Sequence, residues 1–128
     1  MDDAAARALV ERQAHSWEQN DFDLGASDWS PDGVLEAPGV TVPFARLRRA
    51  MTHFHEHYVD LEVEVKNVFA SADGNRIAIE WDWAVSRRSD GERSVTNDAI
   101  IVDLVDDKIA SWREYFDPST GVEASSQT

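Results

Sequence analysis

The sequence predicts an α+β domain, and three observations carry that reading. Apolar residues recur at helical spacings of three and four over residues 3–58, whereas from residue 60 onward they alternate with polar ones in the period of a strand. The alternating runs are separated by short turns rich in Asp, Gly, Ser and Asn, the connection of an antiparallel meander. Helices gathered in one half of a chain and strands in the other pack as helices on one face of a sheet. At 128 residues there is room for one core. The expected domain covers 1–118, followed by a small, polar, flexible tail over 119–128.

The first helix is expected over 3–20, with Ala6, Val10, Gln13 and Trp17 on one stripe and Leu9 beside it. Gln13 is the polar exception on that stripe, either bonded to backbone at the core boundary or pointing a donor into a cavity. A short second helix follows at 22–28, and Trp29-Ser30-Pro31-Asp32-Gly33 has the composition of a turn. Val34 to Ala37 form a short strand stopped by Pro38-Gly39. The third helix, 44–58, starts behind Pro43 and buries Phe44, Leu47, Met51, Phe54 and Tyr58, with His55 at the edge of that stripe. Leu61, Val63 and Val65 then alternate with Glu62, Glu64 and Lys66 ahead of the turn Ser71–Asn75. The strand 76–88 places Ile77, Ile79, Trp81, Trp83 and Val85 on one face, and Ser89-Asp90-Gly91-Glu92 is its hairpin turn. The strand 93–105 places Thr96, Asp98, Ile100, Val102 and Leu104 on one face. After the turn at Asp106-Asp107, Trp112, Glu114 and Phe116 share one face of the last strand, with Ile109, Ser111, Arg113 and Tyr115 on the other.

Composition excludes several classes of function. A net charge of −13 opposes binding to a phosphate backbone, so no nucleic-acid partner is expected. The chain has no Cys, which removes disulfides, thiolate metal sites and a Cys nucleophile. No apolar run approaches the roughly 20 residues of a membrane span, and the acidic start Met1-Asp2-Asp3 is unlike a signal peptide. The expected location is cytoplasmic. His53-Phe54-His55-Glu56-His57 satisfies H-x-x-E-H, the pattern of inverted zinc metallopeptidases. His53 and His57 lie away from the buried stripe, however, and a catalytic zinc needs a third ligand and an open position inside a cleft. Neither a metal nor an organic cofactor is expected.

The element order over 3–118, with Asp32-Gly33-Val34-Leu35-Glu36-Ala37-Pro38-Gly39 and Trp112-Arg113-Glu114-Tyr115-Phe116-Asp117, resembles the SnoaL-like branch of the nuclear transport factor 2-like superfamily. Ketosteroid isomerases, limonene epoxide hydrolases and polyketide cyclases share that fold. The resemblance implies a cone-shaped, curved, mixed but largely antiparallel sheet wrapped around three helices, a cystatin-like roll. It also implies a homodimer through the outer sheet face, which here carries Ile101, Arg113 and Tyr115. Where ketosteroid isomerases have a catalytic Asp, an oxyanion Tyr and a second oxyanion acid, this chain has Ala37, Gln13 and Ile100. Where limonene epoxide hydrolases have an Arg, a first Asp and a water-holding Asn, it has Trp81, Trp83 and Ala37. Their second Asp corresponds to Glu114, beside a shared Trp112.

The resemblance and the alternation together place Leu35, Ala37, Trp81, Trp83, Val85, Thr96, Trp112 and Phe116, with Trp17 from the first helix, around a cavity for a small hydrophobic molecule. Two carboxylates, Asp98 and Glu114, face the same space. Like charges in an apolar site push one pKa up and make an acid/base pair, with His55 and Gln13 as accessory donors. The expected function is a cofactor-independent enzyme of isomerase, cyclase, dehydratase or epoxide hydrolase type acting on a polyketide-, terpenoid- or steroid-like substrate. The alternative is a non-catalytic ligand-binding module. In a purely structural arrangement, Asp98 would bond to Gln13, His55 or Thr96, and Glu114 to an Arg such as Arg48.

Overall fold

The computed structural model describes residues 1–120, so most of the tail expected at 119–128 lies outside the described residues. Its elements are α1 (Asp3–Glu18), α2 (Phe22–Ala26), β1 (Trp29–Ala37), β2 (Val40–Pro43), α3 (Phe44–His57), β3 (Tyr58–Ala70), β4 (Arg76–Arg87), β5 (Arg93–Val105) and β6 (Lys108–Tyr115), with a 3₁₀ turn at Pro118–Thr120. The strands form one curved, unclosed sheet in the order β2-β1-β6-β5-β4-β3. Every ladder is antiparallel except β1 with β6, so the sheet is mixed. Among the described residues no helix is long and apolar enough to cross a membrane.

The meander follows the alternation. Ile77, Ile79, Trp81 and Val85 of β4 and Thr96, Asp98, Ile100, Val102 and Leu104 of β5 are all buried; one core unites Ile77, Ile79, Trp81, Ile100, Val102 and Leu104 with Ala6, Leu9, Val10 and Ala14 of α1, and Val85 packs in a second cluster with Phe54, Tyr58 and Leu61. Burying those side chains between helix and sheet is the main stabilising contribution, about 25 cal/mol per Å² of apolar surface removed from water.

Three expectations are corrected. Trp29 to Gly33 is not a turn: β1 begins at Trp29, which pairs with Ile109, and an irregularity before Val34 returns the strand to register. Gly33 fits there because a Cβ would lie 2.7 Å from both the Ile109 carbonyl oxygen and the Trp29 ring. The short strand β2 went unpredicted. Ala37 pairs with Val40 across Pro38-Gly39, and Gly39 has φ +81°, so the Pro-Gly that ends one strand also turns the chain into the next. Finally, Ile109 is on the inner face with Trp112. The ladder passes from Asp103↔Ser111 to Leu104↔Ile109, so Ala110 is an extra residue in β6 and inverts the alternation. The helices also end earlier than periodicity suggests, at Glu18, Ala26 and His57.

The edge strand β3 is tied to α1 by two carboxylates. Asp3 Oδ1 accepts from the Ala70 amide at 2.9 Å, and Glu18 Oε2 accepts from the Val63 amide at 2.8 Å. These bonds fix both ends of α1 over the sheet and set the position of Gln13 and Trp17 between them.

Candidate active site

Asp98 and Glu114 meet on the inner face. Ile100 stands opposite Glu114 in the β5–β6 ladder, which puts Asp98 diagonally across from it, within reach of a long side chain. The two carboxyls are close enough that each perturbs the other's ionisation. Each is also held by one indole. Trp81 Nε1 donates to Asp98 Oδ2 at 3.3 Å, and Trp112 Nε1 donates to Glu114 Oε2 at 2.8 Å.

Two ionised carboxylates held close together in an apolar setting repel each other, which favours the protonated form. Asp98 is 6% exposed; burial first, then the negative charge of Glu114, raises its carboxyl to about 10. Burial also pushes Glu114 up, against the lowering effect of hydrogen bonds from Asp98 and Trp112. Burial and mutual repulsion thus favour keeping a proton on the coupled pair. Asp98 Oδ1 is otherwise a buried acceptor with no donor among the described residues, and a proton there turns it into a donor. Both carboxyl groups are enclosed, and desolvation is the largest cause of the upward shift in each.

Aromatic rings surround the pair. Trp81 lies 5.6 Å from Trp112 and 6.2 Å from Trp83, centroid to centroid, and Trp17 packs edge-on to Trp83 at 5.6 Å. Leu35, Val85 and Thr96 are buried, and Ala37 packs partly buried against the core. Phe116 is half-buried just beyond the end of β6. The buried Trp83 Nε1 has no acceptor among the described residues.

Two of the predicted donors are occupied elsewhere. Gln13 Nε2 donates to the Gly25 carbonyl at 2.9 Å and to Asp28 Oδ2 at 3.2 Å, while its Oε1 accepts from Trp29 Nε1 at 3.1 Å. Arg12 completes this group with a two-pronged bond to Asp28. His55 is bonded through Nε2 to the Trp17 carbonyl at 2.6 Å; burial lowers its pKa, so the ring is a neutral donor locking α3 to α1. Arg48 pairs with Asp23 at 2.6 Å.

Residues missed in the sequence are Asp28 and Trp29. Trp29 connects the Gln13 group to the carboxyl pair, since its ring stacks on Phe44 and lies 6.4 Å from Trp112. An inward Gln one helical turn from a Trp was the available signal, but the partner Asp28 falls in a junction with no periodicity.

The family model of the SnoaL-like domain matches residues 10–112. The chain belongs to the SnoaL-like family. Solved structures agree on the fold of this SnoaL-like chain. An LEH-like epoxide hydrolase from M. tuberculosis superposes with a TM-score of 0.76 at 21% identity, covering 92% of this chain and 86% of that one. A protein from Catenulispora acidiphila with a ketosteroid isomerase-like fold, in complex with trimethylamine, gives 0.78 at 15% identity over 94% and 96%. A candidate polyketide cyclase from Pseudomonas putida gives 0.78 at 20% identity over 91% and 94%. No curated protein matches the chain. Likeness at these identities establishes the SnoaL-like architecture, which hosts many chemistries.

Proposed function

We propose that this SnoaL-like chain is a small-molecule enzyme that works by acid/base chemistry of its own carboxyls on a hydrophobic polyketide-, terpenoid- or steroid-like substrate. The observation that carries the proposal is the pair of interacting carboxyls, Asp98 and Glu114, both pushed up by burial beside the rings of Trp81 and Trp112. One carboxyl of the pair acts as the base that takes a proton from a reactant, and the other as the acid that returns one. Trp81 and Trp112 hold the pair in register through their indole N–H groups. Proton abstraction beside a carbonyl, dehydration, aldol-type cyclisation and epoxide opening all use such a pair.

The test is to make Asp98→Asn and Glu114→Gln separately and to measure ligand binding and turnover over a panel of such substrates. Each is expected to lower turnover by about 10²–10⁴-fold while binding persists. Unchanged turnover of every substrate by both variants would remove the acid/base reading and leave a binding module.

The outer sheet face supports a second proposal, a homodimer. Val95 and Tyr115 are exposed there at 54% and 58%, with Ile101 on the same face. Sedimentation at micromolar concentration is expected to give twice the chain mass; a monomer would count against this interface.

A further inference from the structure

The three ligand-bearing residues of the H-x-x-E-H string converge on the last turn of α3. His53, Glu56 and His57 each offer one ligating atom, and these atoms lie within 4.8 Å of one another. The two rings are 4.5 Å apart between centroids, and His53 Nδ1 is 3.8 Å from Glu56 Oε1. Met51 and Phe54 are buried in the core, whereas this group lies on the more exposed part of the helix surface. Glu56 and His57 are exposed and His53 is partly exposed, which leaves their side chains room to adjust.

The position also favours a cation. The last turn is the negative end of the helix dipole, and the chain as a whole carries −13. Tetrahedral zinc with bonds of about 2.0–2.2 Å holds its ligands roughly 3.4 Å apart, so the group needs to close by about an ångström. Two imidazoles and one carboxylate select a borderline transition ion over magnesium or calcium, which prefer all-oxygen shells.

We infer that His53, Glu56 and His57 form a surface site for a divalent transition ion of the Zn²⁺ type, with water in the fourth position. Bound there, the ion clamps the end of α3, where the His57 and His55 carbonyls accept from the backbone N–H and the Nε of Arg88. The site is separate from the proposed chemistry and does not depend on it.

The experiment is calorimetric titration of the tag-free, EDTA-stripped chain with ZnCl₂ and, separately, MgCl₂ at neutral pH. The expected result is one saturable zinc per chain in the wild type and in His15→Ala, which removes an exposed histidine of α1 outside this group. Binding should be about tenfold or more weaker in His57→Ala, with no saturable magnesium binding. Zinc should raise the melting point of the wild type and not of His57→Ala. Because His57 is exposed, the metal-free melting points should agree; were His57→Ala to fold poorly, His53→Gln carries the same test. The inference is overturned by an absence of saturable zinc binding to the wild type, by wild-type affinity in both His variants, or by magnesium binding as tightly as zinc.

Discussion

Asp98→Asn is expected to change how stability depends on pH more than it changes stability itself. In the folded chain the Asp98 carboxyl keeps its proton up to about 10, whereas an unfolded Asp releases it near 3.9. Between those values the folded state binds the extra proton, so the stabilisation is complete below the unfolded pKa and is lost as pH rises toward the folded one. The slope is at most about 1.4 kcal/mol per pH unit for one proton. Asn has nearly the same shape and no titration, and its amide can still donate to Glu114. Urea midpoints taken from pH 5 to pH 9 should therefore fall with pH in the wild type and stay flatter in the variant. The variant should be the relatively more stable chain at pH 9. Glu114→Gln should give an intermediate profile, since it removes a like charge but leaves Asp98 buried. Parallel wild-type and Asp98→Asn profiles would mean that the pair does not share a proton.

Gln13→Leu is expected to be the most damaging of the volume-conserving changes in α1. It removes the acceptor of Trp29 Nε1, the donor to the Gly25 carbonyl and one donor to Asp28, all in a buried setting. Leaving two or three buried polar groups without partners costs about 2–4 kcal/mol, as Arg12 continues to neutralise Asp28. Thermal or urea unfolding measures this loss. The pH profile should keep the wild-type slope, because none of these bonds touches Asp98 or Glu114. Loss of activity without loss of stability would instead make Gln13 a direct participant in chemistry.

The inward orientation of Asp98 and Glu114 was legible because an antiparallel meander leaves each strand one face for the core, and alternation decides which residues take it. Trp81 and Trp112 were legible for the same reason. Their indole bonds to the carboxyls were not, since these depend on a cross-strand partner and a rotamer. Ile109 was misplaced because one extra residue at Ala110 reverses parity, and nothing in the run Lys108-Ile109-Ala110-Ser111 marks it. The strand β2, at four residues, is too short to show a period. Gln13 and His55 stood out correctly as unusual, but a polar side chain on a buried stripe does not announce its partner. Tertiary contacts with Trp29, Asp28 and the Trp17 carbonyl decided their roles.

The two carboxylates that bind α1 to β3 also bear on what the molecule avoids. β3 closes one end of the sheet, and an unprotected terminal strand offers a row of amides and carbonyls on which another extended chain can be templated. Asp3 and Glu18 occupy two of those amides. The opposite border, β2, is four residues long and ends in Pro43, which has no amide proton to lend. Neither border is therefore a good seed for a growing ladder of copies.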